Sequence, residues 1–127
     1  MDKTALLSVD LERGSEVLDI PDRAGLKVSV ATWAHLSEYG DWRLILAGRQ
    51  LDALGTRDAY GAIHEALAAA GLGAYQTPNI LILSMSDKTV RDLRRAFGKA
   101  KSVEGMRLGG QLFGDRFFED GYAYRIS

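Results

Sequence analysis

Residues Pro78 to Lys99 read PNILILSMSDKTVRDLRRAFGK, and the change of period inside this stretch decides the fold. Ile80-Leu81-Ile82-Leu83 is apolar on both faces of an extended chain. That is the pattern of a strand covered by helices on both sides, so the run is expected inside a sheet. The period then turns helical. Ser86 or Asp87 can cap a helix running to about Lys99, with Val90, Leu93, Phe97 and Ala100 as its core stripe. At about 100° per residue, Lys88, Arg91, Arg95 and Lys99 fall together on the opposite side, within about 80°.

Upstream, Thr56 reads as an N-cap with Asp58 in the first turn. Tyr60, Ile63, Leu67 and Ala70 recur at helical spacing until Gly71 ends the run. Leu26, Val28 and Val30 alternate with polar residues and continue through Trp33, which predicts a strand. Tyr39-Gly40-Asp41 supplies a turn before a second β-rich run, Trp42 to Ala47, so the two strands should form a hairpin. The first 25 residues carry Leu7, Leu11, Val17, Leu18 and Ile20 at helical spacing, interrupted by Gly14 and Pro21. A helix is expected there, ending or kinking near Ile20 with Asp22 to Gly25 as its exit. Downstream, Met106 to Phe113, Arg116 to Phe118 and Tyr122 to Ile126 read as short strands. Gly114-Asp115 and Asp120-Gly121 separate them as turns, giving an antiparallel meander.

The expected architecture is one α/β domain, bordering on α+β, over residues 1–127. It has an N-terminal helix, a β-hairpin, two strand–helix–strand crossovers joining parallel neighbours, and the C-terminal meander, in a mixed sheet. A chain of 127 residues with 46% hydrophobic and 26% charged residues suits a globular domain with one good core. No apolar run approaches the roughly 20 residues needed to cross a bilayer. Met1-Asp2-Lys3-Thr4 lacks a signal-peptide pattern, so no membrane association and a cytoplasmic location are expected. Cysteine is absent and there are two histidines, which excludes disulfides, thiol nucleophiles and Cys-ligated zinc. Neither a metal nor a cofactor is expected.

Charge is unevenly placed. Residues 1–76 hold eleven acids and seven bases, net −4, whereas Lys88 to Arg116 hold eight bases and three acids, net +5. Lys88, Arg91, Arg94, Arg95, Lys99, Arg107 and Arg116 are therefore the candidate nucleic-acid-binding residues. Lys and Arg neutralise phosphates and release counterions, and Arg adds paired hydrogen bonds. The bland alternative is a solvated outer face, common on surface helices, and no helix-turn-helix, zinc-finger or RNA-recognition signature is present. Phe117, Phe118, Tyr122 and Tyr124 could stack unpaired bases or, more simply, fill the core.

No complete catalytic motif is present, and the chain reads as a binding or accessory protein contacting nucleic acid or an acidic protein. A second reading is an enzyme acting on a phosphorylated or nucleotide substrate, with Asp115, Glu119, Asp120 and His35 lining a pocket. A third is a homo-oligomer paired through edge strands. His64, alone on its helix, reads as structural, and Trp33 and Trp42 flank the hairpin turn as partner anchors or core. Gly105, Gly109, Gly110 and Gly114 follow a helix rather than open one and lack a Gly-Lys-Ser/Thr ending, so they read as bulges, not a phosphate loop.

The segment Lys101 to Gly110, containing Ser102-Val103-Glu104-Gly105-Met106-Arg107-Leu108-Gly109-Gly110, resembles a family of short uncharacterised bacterial proteins. So do Gly114-Asp115-Arg116, Glu119-Asp120, Tyr124-Arg125-Ile126, Trp33-Ala34 through Tyr39, and Asp41-Trp42-Arg43-Leu44. The likeness spans most of the chain after residue 25 and transfers no activity or residue role.

Overall fold

A computed structural model describes residues 8–73 and 78–127. Leu7 and the opening Met1-Asp2-Lys3-Thr4 lie outside them. The elements run α1 (Ser8–Arg23), β1 (Val30–Leu36), β2 (Asp41–Ala47), α2 (Arg49–Leu54), α3 (Thr56–Ala69), β3 (Ile80–Ile82), α4 (Lys88–Phe97), β4 (Gln111–Phe113) and β5 (Arg116–Ile126). The strands form one mixed sheet in the order β3-β2-β1-β5-β4, in which only β2 and β3 are parallel. This is an α/β (α+β) fold. Alternation along β1 sends Val30, Ala34 and Leu36 to one face, where α4 contributes Val90 and Leu93. Ala31 and Trp33 go to the other face, where α1 contributes Val17 and Leu18, and α3 contributes Ile63 and Leu67. Among the described residues no helix is long and apolar enough to cross a membrane.

The β1–β2 hairpin forms as expected, Val30 opposite Ala47 through Leu36 opposite Asp41. Its first strand begins later than the alternation suggested, because the Val28 N–H donates to Asp22 Oδ1 at 3.1 Å and holds residues 26–28 as a loop. Pro21 does not stop α1, which continues to Arg23. Proline removes one amide donor, and the chain then closes normally, with the Ala24 N–H donating to Ile20 and the Leu26 N–H to Pro21. Gly14 lies inside α1 because a Cβ there would meet the Tyr124 hydroxyl at 2.4 Å and Trp33 Nε1 at 2.8 Å. Thr56 is the first residue of α3 rather than its cap; Gly55, at φ 83°, takes the N-cap position. The short α2 had no clear sequence signal.

Three expectations change in the second half. β3 is an edge strand, not a central one. Both of its faces are nonetheless covered, since Ile80 joins the core under α3 and Leu81 packs against the α4 side. The connection through α4 crosses from one edge of the sheet to the other, so β3 and β4 are not neighbours. The tail is one hairpin rather than three strands. Of Met106 to Phe113 only Gln111–Phe113 is strand, with an isolated bridge from Arg107 to Tyr122. Asp120-Gly121 lies inside the long β5, not in a turn. The register with β1 slips twice, leaving Glu119 and Tyr124 as the extra residues of two bulges.

Candidate nucleic-acid interface

The N-terminus of α4 is built around the β4–β5 turn. The Asp87 side chain caps the helix by accepting from the Thr89 N–H at 2.8 Å. Thr89 is fully buried and its hydroxyl donates to the Phe113 carbonyl at 2.9 Å. The Gly114 N–H donates to Asp92 Oδ2 at 2.7 Å. Arg116 donates to Asp87 Oδ1 and to Thr89 Oγ1, each at 2.9 Å, and Glu38 Oε1 stands 3.4 Å from its Nε. With its side chain only 21% exposed, Arg116 is a tie between β5 and α4. Its charge is balanced inside the fold.

The other six candidates differ in how far the protein engages them. Arg107 bonds Asp120, with its guanidinium 6.0 Å from the centre of the Tyr122 ring. The Arg94 Nε–H donates to the main-chain oxygen of Ser127 at 2.8 Å. Arg95 pairs with Asp92 one turn back at 3.1 Å, and Lys88 approaches Asp115 at 3.9 Å with both side chains more than 70% exposed. Exposed pairs of this kind contribute at most about 1 kcal/mol and leave the cation accessible. Arg91 and Lys99 are exposed and their side chains have no hydrogen-bond or ion-pair partner among the described residues, and the same is true of Lys101. Between Asp87 and Lys101 there are six bases and two acids, net +4. Across the sheet, α1 carries five acids and two bases, net −3. α4 ends at Phe97 under the Gly98 cap rather than near Lys99, so Ala100 is exposed beyond it instead of joining the core stripe. Arg91 and Arg95 share the outer face of the helix, with Lys88 and Arg94 beside them and Lys99 in the turn that follows; Arg107 and Arg116 are committed to carboxylates.

The aromatic residues do not extend this face. Phe118 is buried in the core beneath α4. Tyr122 and Tyr124 pack on the opposite side of the sheet, their rings 5.4 Å apart. Burial, the largest cause, pushes the Tyr124 hydroxyl up to about 12; the bond from Trp33 opposes this, and Tyr122 and Asp10 add to it. Tyr124 accepts from Trp33 Nε1 at 3.0 Å and donates to the Leu11 carbonyl at 2.6 Å. Trp33 is buried, and Trp42 meets it edge-on at 6.4 Å, so this pair closes core rather than presenting an anchor.

The groups of the enzymatic alternative go to three places. His35, 5% exposed, has Nδ1 3.4 Å from Glu119 Oε2, and Glu119 Oε1 accepts from Ser37 Oγ at 3.0 Å. Asp115 sits at the hairpin turn beside Lys88, and Asp120 holds Arg107. A cavity of about 470 Å³ at the start of α4 includes Asp115, but its Glu38, Asp87 and Asp115 outnumber Lys88 and Arg116. Among the described residues no group of three or more His, Asp or Glu side chains could hold a metal ion. His64 is exposed on α3. Gly105, Gly110 and Gly114 have φ of 84°, 73° and 60° and stand at turns, not at the bulges expected of them and not at a phosphate cradle.

The sequence offered Asp87 as a cap, which it is, but sequence reasoning missed that Thr89 and Asp92 tie the β4–β5 turn to the helix. The available signal was two short polar residues, Thr89 and Asp92, within the first five positions of an otherwise basic helix. Comparisons with protein-family models, curated proteins and solved structures found no match.

Proposed function

We propose that this chain is a non-catalytic, cytoplasmic binding protein that docks the outer face of α4 onto the phosphate backbone of nucleic acid. The observation that carries this reading is the row Arg91, Arg95 and Lys99, exposed and weakly engaged, on the face opposite the acidic α1. From Arg91 to Arg95 the helix rises about 6 Å, and Lys99 follows in the turn after the Gly98 cap. With Lys88 the row offers four cations to phosphates. The exposed Phe117 lies on the other face of the sheet, so the contact is to backbone and carries no base readout.

Four neutralised phosphates give a slope of log affinity against log salt of about −3.6 on duplex DNA. Fluorescence anisotropy with labelled 20-mer duplex DNA and single-stranded RNA, from low to physiological salt, measures it. The double change Arg91→Glu with Arg95→Glu should flatten the slope by about 2 and lower low-salt affinity more than tenfold, with unchanged circular dichroism. Undetectable binding at low salt, or binding indifferent to the double change, would refute the reading.

A further inference from the structure

The two edges of the sheet are built differently. At β3 the Leu83 N–H donates to Leu46 and the Leu44 N–H donates to Asn79, which turns the main-chain groups of Ile82 outward. The Ile82 N–H is closed off by the Tyr60 hydroxyl at 2.9 Å, and just beyond it Asp52 accepts from Met85 at 3.0 Å. Among the described residues the β4 edge has no such cover. The Phe118 carbonyl accepts from Gly110 on the β4 side, and the Phe117 carbonyl accepts from Ser37 on the β1 side. In the pair Leu112↔Phe117 the N–H and C=O of Leu112 therefore point away from β5, to open space. β4 is Gln111-Leu112-Phe113, with none of the charges or prolines that blunt free edges. Leu112 is 64% exposed and its cross-strand neighbour Phe117 43%, both on the face away from α4.

We propose that β4 pairs antiparallel with β4 of a second copy of this chain about a two-fold axis at Leu112, making a ten-stranded sheet. A second copy fits because the edge is self-complementary. Leu112 meets Leu112, exchanging two main-chain hydrogen bonds, and the exposed Phe117 side chains close beside the axis. The same register sets residue 109 of one copy opposite 115 of the other. Two apolar side chains per copy fall well short of the roughly 800 Å² per partner of a standard interface, so the dimer is reversible and concentration-dependent. The axis stands normal to the sheet and leaves both α4 helices on one face.

Self-association is read without nucleic acid, so its outcome is independent of the binding proposal. Sedimentation equilibrium of the full chain, from about 10 µM to about 1 mM, should show the mass rising toward two copies and no further. Leu112→Lys should weaken dimerisation about tenfold or more while leaving the urea midpoint unchanged, because Leu112 is mostly in solvent. Leu112→Pro, which removes only an outward donor, should do the same, and Asn79→Lys on the other edge should not. A wild-type chain that stays monomeric, a mass that grows past two copies, or a dimer that survives both Leu112 variants overturns the proposal.

Discussion

Replacing Gly114 by alanine tests whether the hairpin turn is locked to α4. Gly114 has φ of 60°, and a Cβ there would stand 2.5 Å from the Thr89 nitrogen and 2.6 Å from the Lys88 carbonyl carbon, both backbone atoms that cannot move alone. The left-handed conformation costs an L-residue about 1–2 kcal/mol. Relief of the clash must lift the turn from the helix. That loosens the Gly114–Asp92, Thr89–Phe113 and Arg116–Thr89 hydrogen bonds, each contributing about 1 kcal/mol. The expected total is about 3–5 kcal/mol, a large share of the roughly 5–15 kcal/mol that holds such a domain together. Gly110 supplies the control. Its φ is 73°, but nothing lies within 4 Å of its Cβ position, so Gly110→Ala should cost only the conformational part, about 1–2 kcal/mol. Urea denaturation of both variants measures the difference, with equal m-values as the check on two-state behaviour. Equal losses at the two positions would refute the docked arrangement.

Two further changes test the opposite face. Gly14→Ala should destabilise by about 1–3 kcal/mol despite the better helix propensity, because its methyl collides with the bonded Tyr124–Trp33 pair; Gly61→Ala, with open space around it, should stabilise by about 0.4–1 kcal/mol. Tyr124 makes stability depend on pH at the alkaline end. The folded state holds the proton up to about 12 whereas the unfolded chain releases it near 10.0. Its contribution is complete below pH 10 and is lost as pH rises toward 12. Urea midpoints across that window should fall in the wild type, and Tyr124→Phe should remove the part of the decline due to this residue.

Local periodicity was legible wherever one face of an element meets the core. Val90, Leu93 and Phe97 marked α4, and the alternation of β1 with the turn at Gly40 marked the hairpin. Position in the sheet was not. Ile80 to Leu83 is apolar on both faces whether it lies in the middle of a sheet or at an edge covered by α3 on one side and the α4 layer on the other, so composition cannot separate the two. Asp120-Gly121 carried a turn signal because the residues that permit a turn also permit close approach in a bulged strand. Gly121 is buried, and a Cβ on it would meet the Trp33 carbonyl at 3.1 Å. For the candidate site, helical spacing grouped Lys88, Arg91 and Arg95, which α4 carries, with Lys99, which lies past the end of the helix. It could not reveal that Arg116 meets Glu38, because that pair forms only when β5 and the β1–β2 turn come together.

The net charge of −1 looks unfavourable for the polyanion binding proposed above, yet net charge is the wrong quantity once the layers are known. α1 and α4 lie on opposite faces of the sheet, two packing distances of about 10 Å apart, hence roughly 20 Å. The Debye length at physiological ionic strength is about 8 Å. A phosphate chain against α4 therefore experiences the local +4 with the acidic α1 largely screened. At low salt the acidic face is felt more strongly and offsets part of the attraction. The salt dependence of binding should for that reason be shallower at the lowest ionic strengths than the slope set by the four α4 cations, and should approach that slope as salt rises. Neutralising Glu12 and Glu16 on α1, far from the contact, should steepen the low-salt limb alone. An effect of those two changes at physiological salt would mean that α1 itself touches the ligand.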